Sequence, residues 1–257
     1  MGFLTLNDIH HTYFTKTSAT PALRNINIDI KEGEFVSFLG PSGCGKTTLL
    51  SIIAGLIQPA RGCAMLDGKN TGKTDSGIGY MLQQDYLFPW KTIEENILIG
   101  PKINGTLNHA IKTETLALLD KMELRNVLTS YPKQLSGGMR QRVALVRTLA
   151  TNPKLLLLDE PFSALDYQTK LKLENLVSST FKTFNKTAIL VTHDIGEAIA
   201  MSNRVLLFSQ RPGKIHKIFD VPENLRLLSP FEARHHPAYN ELFQVIWKEL
   251  ESLEPEE

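Results

Sequence analysis

Asn25-Ile26-Asn27-Ile28-Asp29-Ile30 alternates polar and apolar residues with the period of two that a strand with one buried face requires. Lys31-Glu32-Gly33-Glu34 then turns the chain, so the pattern predicts an antiparallel opening. Phe35-Val36-Ser37-Phe38-Leu39 has no alternation and reads as a strand covered on both faces, running straight into a glycine-rich loop. A helix is predicted from Gly45, ending near Gly55 to Pro59, and further strands at Cys63 to Leu66 and Ile78 to Leu82. From Asp85 to Leu149 the pattern changes. Thr106 to Met122 sets Leu107, Ile111, Leu118, Leu119 and Met122 close to helical spacing and no segment alternates, which predicts a helical subdomain. Strand signals return at Leu155 to Leu158, Ala188 to Thr192 and Val205 to Phe208, separated by helix-length segments, the grammar of a parallel sheet flanked by helices. Arg211-Pro212-Gly213 reads as a turn. After Ile215 to Val221, a closing helix carries Tyr239, Leu242, Phe243, Ile246, Leu250 and Leu253 on one stripe, and Glu254 to Glu257 is expected to fray.

Composition narrows the class. With 257 residues and 42% hydrophobic content the chain can bury a full core. Its 28 Lys plus Arg balance 27 Asp plus Glu, which gives no support for nucleic-acid binding driven by phosphate neutralisation. The N-terminal residues show no basic segment followed by an apolar run, so no export signal is expected. The longest apolar stretch, Leu49 to Ile57, is far short of the roughly 20 residues that span a bilayer. A disulfide between Cys44 and Cys63 would obstruct the glycine loop, so both are read as reduced cytosolic thiols.

The chemistry sits in three segments. Gly40-Pro41-Ser42-Gly43-Cys44-Gly45-Lys46-Thr47 matches GxxxxGK[ST] between a buried strand and a helix, the context that motif needs. Its glycines let backbone N–H groups face phosphates, Lys46 neutralises the β and γ oxygens, and the Thr47 hydroxyl can ligate Mg²⁺. Leu155-Leu156-Leu157-Leu158-Asp159-Glu160 ends a buried strand in two carboxylates, where open α/β sheets meet their ligands. Asp159 is expected to hold Mg²⁺ through water and Glu160 to orient or deprotonate the attacking water. Leu135-Ser136-Gly137-Gly138-Met139 adds a second cradle of N–H groups at a helix start. Two phosphate sites in one chain predict a dimer in which each copy completes the other's nucleotide site. His10-His11 and His235-His236 have no carboxylate or cysteine constellation around them and read as surface packing.

With these segments in this order the chain resembles an ABC-type ATPase over nearly its whole length. The resemblance implies a P-loop NTPase core with a parallel sheet flanked by helices, an N-terminal antiparallel β subdomain and an inserted α-helical subdomain. It divides the single domain 1–257 into a core at 1–84 and 151–210, a signature subdomain at 85–150 and a C-terminal extension at 211–257. It also implies further site residues. Gln83, with Gln84 as the alternative, contacts Mg²⁺ and the attacking water; His193 bonds the γ-phosphate; Asp166, in Ser163-Ala164-Leu165-Asp166, links the two sites of the dimer. Tyr13, or Phe14 beside it, stacks on the adenine of ATP, and Thr48 continues the phosphate-binding set. Met139 stands where many relatives carry Gln, a departure that leaves Ser136 and the glycine N–H groups in place.

Only about a hundred residues separate the phosphate loop from Asp159, without sustained heptads, which sets aside relatives interrupted by coiled coils. One cassette without membrane spans implies separate permease subunits, a peripheral place on the cytoplasmic face of the membrane, and indirectly a solute-binding protein. Asp85 to Ile97, with Phe88-Pro89-Trp90, is similar to the segment after the Q-loop in importer ATPases of the nitrate, sulfonate and taurine group. Phe88 and Trp90 then either line a groove for a short helix of the permease or simply pack the subdomain. The closing stripe is expected to pack on the ATPase core, with a dimer contact as the other option, and no extra regulatory domain is expected. The alternative task is an ABC ATPase powering lipoprotein release, cell division or cofactor assembly; a scaffold that binds ATP without turnover fits poorly with Glu160 and His193.

Overall fold

The computed structural model describes residues 2–73, 77–163 and 165–253. The chain runs β1 (Leu4–Phe14), β2 (Ala19–Ile30), β3 (Phe35–Leu39), α1 (Lys46–Ile53), β4 (Arg61–Leu66), β5 (Lys69–Asn70), β6 (Ile78–Met81), α2 (Ile93–Ile103), α3 (His109–Lys121) and α4 (Gly137–Leu149). It continues with β7 (Leu155–Asp159), α5 (Tyr167–Phe184), β8 (Thr187–Thr192), α6 (Ile195–Met201), β9 (Arg204–Phe208), β10 (Ile215–Asp220), α7 (Glu223–Arg226), α8 (Pro230–Ala233) and α9 (Pro237–Glu251). Two compact units result, Met1–Ser76 with Glu174–Glu257, and Gly77–Leu173.

In the first unit β1 pairs antiparallel with β2 and β4, and β4 with β5. β2 buries Ile26, Ile28 and Ile30 while Asn27 and Asp29 face out, the alternation written in the sequence. β1 hides its own alternation. Leu4 and Leu6 are buried at even positions and Ile9 at an odd one, because register shifts between Leu6 and Ile9, with Asp8 at φ 47°, move the inward face by one residue. Strands β10, β9, β3 and β8 lie in that order in the same unit. β3 is parallel to β8 and β9, and β10 returns antiparallel. All five residues of β3 and all six of β8 are buried, as mostly apolar runs without alternation predict. The stripe on α9 covers its own unit. Tyr239 and Ile246 are buried and Leu242, Phe243, Leu250 and Leu253 pack against Leu39, Ile195, Ile199, Leu207 and Phe219.

The second unit pairs β6 and β7 in parallel, Ile78 opposite Leu155 to Met81 opposite Leu158, and packs α2 and α3 against α4. The helix anticipated at Thr106 to Met122 starts at His109, since Asn108 caps it by accepting from the Ile111 N–H (2.9 Å). Helix α2 opens with a capping box: Thr92 Oγ1 accepts from the Glu95 N–H and Glu95 accepts from the Thr92 N–H. Glu254 to Glu257, expected to fray, and Ala164 of the expected D-loop lie outside the described residues.

Candidate functional site

In the first unit, the loop from Gly40 to Gly45 connects β3 to α1. Gly45 sits at φ 105°, and a Cβ there would stand 2.8 Å from the Ala22 carbonyl oxygen, so both backbone and space demand glycine. It precedes α1 without a side chain to cap it, which leaves the first helical N–H groups for an anion. Lys46 is buried, 6% exposed, and its Nζ donates to the carbonyls of Gly40 (2.7 Å) and Pro41 (2.9 Å). The ammonium is thereby held over the loop rather than in solvent. Cys44 is buried, and both cysteines are free thiols. Thr48 Oγ1 lies 3.1 Å from the Tyr13 hydroxyl, which brings the end of β1 to the start of α1. Tyr13 is further fixed by an edge-on contact with His11 at 4.7 Å, whereas Phe14 is 76% exposed. His193 follows β8 on the exposed surface, and the next residue, Asp194, caps α6 by accepting from the Glu197 N–H (3.1 Å).

In the second unit, the acids stand at the end of β7. Asp159 is 2% exposed and closes the strand, and Glu160 follows with φ 48°, an uncommon conformation for a residue with a side chain. That conformation is over-determined. The Glu160 carbonyl accepts from Gln141 Nε2 (3.3 Å), Ser163 Oγ (3.0 Å) and the Ser163 N–H (3.3 Å). Its carboxylate accepts from Gln83 Nε2 at 3.2 Å, so Gln83 is the one of the two adjacent glutamines seen bonded to the acid.

The signature residues open α4. Ser136 is its N-cap, with Oγ accepting from the Met139 N–H (3.3 Å), and Gly137 and Gly138 form its first turn. Ser136 and Gly137 are exposed, and a Cβ added at Gly137 would meet only the end of Arg140, at 4.0 Å. The same helix grips the segment after Gln83. Arg140 Nε pairs with Asp85 (2.9 Å) and its Nη1 donates to the Leu135 carbonyl (2.9 Å). Arg147 donates to the carbonyls of Asp85 (2.7 Å) and Tyr86 (2.8 Å). Burial pulls the Arg147 guanidinium below its ordinary value while Asp85 opposes the shift, and an arginine so placed keeps its charge. Asp166 caps α5: its carboxylate accepts from the Thr169 N–H (3.0 Å). Hydrogen bonds from the Thr169 side chain and then its backbone hold the Asp166 carboxyl below the usual carboxylate range.

Asn96 and Gln141 carry structural duties that motif reading misses. Asn96 is fully buried in α2 and makes four hydrogen bonds to the preceding loop. Its Oδ1 accepts from the Phe88 N–H (2.8 Å), and its Nδ2 donates to the carbonyls of Phe88 (3.2 Å), Lys91 (3.1 Å) and Thr92 (2.9 Å). These bonds tie the loop to α2, yet it presents Trp90 71% exposed, 5.6 Å from the half-buried Phe88 ring. The available signal was an amide at an inward-facing helical position, Asn96 beside Ile97 and Gln141 before Val143, where burial demands partners.

Residues 23–163, more than half of the chain, match the family model for the ABC transporter. The chain belongs to the ABC transporter family. It is an ATP-binding, ATP-hydrolysing ABC cassette. It is 60% identical to the ABC transporter ATP-binding protein YtlC of Bacillus subtilis, over 100% of this chain and 99% of the relative. It is 41% identical to the aliphatic sulfonates import ATP-binding protein SsuB of Bacillus cereus, over 84% of this chain and 85% of the relative. Among solved structures, the dimeric post-hydrolysis state of the ATP-binding cassette MJ0796 bound to ADP and Pi superimposes with a TM-score of 0.76 at 33% identity, covering 85% of this chain and 99% of that one. Among the described residues of this ABC cassette, no helix is long and apolar enough to cross a membrane.

Proposed function

We propose that this cassette is the ATP-hydrolysing subunit of an importer at the cytoplasmic face of a membrane. Two copies close head-to-tail around two Mg-ATP and reopen after hydrolysis, driving transmembrane permease subunits supplied by a solute-binding protein. Tyr13 stacks on adenine, and its tie to Thr48 favours it over Phe14. Gly40, Pro41, Ser42, Gly43, Cys44, Gly45, Lys46, Thr47 and Thr48 take the phosphates, with backbone N–H groups and the Lys46 ammonium as donors. Thr47, Gln83 and Asp159 offer oxygen donors of the kind that suit Mg²⁺, an ion that keeps phosphate and water in its sphere. When bound, that ion neutralises charge on the phosphates. Glu160 orients the water and takes its proton, His193 bonds the γ-phosphate, and Ser136, Gly137 and Gly138 of one copy meet the phosphate held by the other. Asp166 links the two sites.

The observation that carries the catalytic part is the Gln83–Glu160 hydrogen bond at 3.2 Å, made by an acid whose own backbone is held in a strained conformation. A residue kept there by three bonds to its carbonyl is arranged for its side chain's task. The solute is proposed to be a small oxyanion of the nitrate, sulfonate or taurine kind, on the support of the sulfonate-import relative. The domain organisation proposed is the core at 1–84 and 151–210, the signature subdomain at 85–150 and the extension at 211–257.

Glu160→Gln tests the reading. Mg-ATPase turnover is expected to fall about 10²- to 10³-fold, with ATP now trapping a dimer by size-exclusion chromatography. Equal turnover in the variant and wild type defeats the catalytic assignment. Uptake of a labelled sulfonate by a strain lacking the gene, compared with its parent, tests the import task.

A further inference from the structure

We infer that the turn Arg211-Pro212-Gly213 is a brace for the phosphate loop and that Arg211 is a positioning residue for nucleotide binding. This rests on the ATPase reading of that loop and adds a part to it. A loop that turns its N–H groups toward an anion turns its carbonyls the other way, and each of those needs its own partner. Lys46 serves Gly40 and Pro41. The Gly43 carbonyl is served from outside the motif: Arg211 Nε donates to it at 3.1 Å.

The neighbouring peptide is held by shape. A Cβ built on Gly213 would stand 2.0 Å from the Cys44 carbonyl oxygen, 3.2 Å from its carbon and 3.5 Å from the Ala22 oxygen. Gly213 is not in the left-handed region, so the demand there is for space alone. Its backbone is anchored on β2. The Gly213 N–H donates to the Ala22 carbonyl (2.9 Å), and the Arg24 N–H donates to the Gly213 carbonyl (3.0 Å). On its other side the turn is closed by the Ser209 N–H to the Lys214 carbonyl (2.9 Å) and the Lys214 N–H to Ser209 Oγ (3.1 Å). The brace therefore stands on a sheet strand and a hairpin.

Peptide planarity transmits this contact to the binding face. Holding the Gly43 carbonyl fixes the plane of the Cys44 N–H, which donates within the loop to the Pro41 carbonyl (3.4 Å), and holding the Cys44 carbonyl sets the direction of the Gly45 N–H. Arg211 reaches the loop with a planar, directional donor, and its Nη2 lies where a Gly43 side chain would meet it at 3.7 Å. The brace acts through main-chain geometry, so it governs binding of nucleotide more than the rate of bond cleavage.

The test uses the full chain, with Mg-ATPase titrated in ATP and binding of a fluorescent ADP analogue. Arg211→Ala is expected to raise KM for ATP and Kd for the analogue about three- to tenfold, with kcat within about twofold of wild type, and Arg211→Lys to recover part of that loss. Gly213→Ala should weaken binding more than tenfold, roughly, because a backbone carbonyl has to move. In a Cys63→Ala background, Arg211→Ala should also speed alkylation of the buried Cys44, a direct report on loop opening. Arg211 is exposed, so its variants test the brace even if Gly213→Ala fails to fold. The assignment is overturned if Arg211→Ala leaves KM and Kd within about 1.5-fold of wild type, or lowers kcat at unchanged KM. A wild type that binds the analogue but never hydrolyses ATP counts against the proposed function instead, and the analogue's Kd still judges the brace.

Discussion

The two units of this cassette hold their functional groups by different means. In the first, the phosphate loop is shaped by main chain: Gly40 and Gly45 at positions where a Cβ collides, a buried lysine over the Gly40 and Pro41 carbonyls, and a preceding strand that is buried throughout. In the second, long polar side chains reach back to carbonyls. Asn96 fastens the loop that presents Trp90, Gln141 fastens Glu160, and Arg140 and Arg147 fasten the segment after Gln83. A loop that offers N–H groups to an anion can spend few of them internally, here the Cys44 N–H on the Pro41 carbonyl (3.4 Å), so most of its shape has to come from outside contacts and glycine geometry. Residues that act through side chains tolerate a polar scaffold, and this one is nearly satisfied: Asn96 uses both ends of its amide, and Gln141 uses its Nε2 while its buried Oε1 has no hydrogen-bond partner among the described residues.

Asn96→Ala should break that scaffold and give the largest stability effect. It strips four hydrogen bonds from a fully buried site and takes the side-chain partner from the Phe88 N–H and the Lys91 carbonyl, while the Phe88 and Thr92 carbonyls keep the backbone N–H groups of Lys91 and Asn96. A loss of about 2–4 kcal/mol is expected in urea unfolding, against little change for the exposed Arg211→Ala. A loss no greater than that of Arg211→Ala would show that the polar ties are ornamental to stability.

Trp90→Ala sharpens the same contrast from the surface. With 71% of the residue exposed on a loop that Asn96 holds independently, little folding energy rests on the ring. We therefore expect a midpoint of thermal unfolding within about 1–2 °C of wild type and basal ATPase within about twofold. Uptake by the assembled transporter should fall about tenfold or more, because a large exposed aromatic is the kind of anchor a permease helix would take. Unchanged uptake and unchanged ATPase would remove Trp90 from the proposed coupling groove.

The same division decided how much was legible beforehand. The period-two run at Asn25 to Ile30, the mostly apolar run at Phe35 to Leu39 and the leucine run at Leu155 to Leu158 each became strands with the anticipated burial. Gly40 to Thr47 stood out because main-chain geometry writes itself into sequence as glycine. β1 was obscured because its bulge shifts the inward face by one residue, leaving no clean alternation to read. Asn96, Gln141, Arg147 and Arg211 were silent for another reason. Their partners are backbone groups, which recur along the whole chain, so nothing in the partner's identity marks the pairing. Gln83 and Glu160 could be nominated by resemblance, but their mutual bond is a fact of the fold, 77 residues apart in sequence.

Asp166 should show the smallest effect, and it separates two duties of one residue. Its carboxylate caps α5 through Thr169, which lowers its folded pKa beneath the ordinary value. A depressed acid adds stability above its unfolded pKa and loses it as pH falls through the folded one. Asp166→Asn keeps the capping geometry and removes only the charge. The wild type should therefore unfold slightly above the variant in temperature at neutral pH, and the gap should close below about pH 4. A gap that ignores pH would mean that shape, and not charge, is what the cap contributes. If Asp166→Asn in a Glu160→Gln background also weakens ATP-driven dimerisation at neutral pH by more than its change in thermal midpoint accounts for, the charge has a second task outside its own helix. That surplus is what a link between the two nucleotide sites requires, and an exposed cap alone would not produce it.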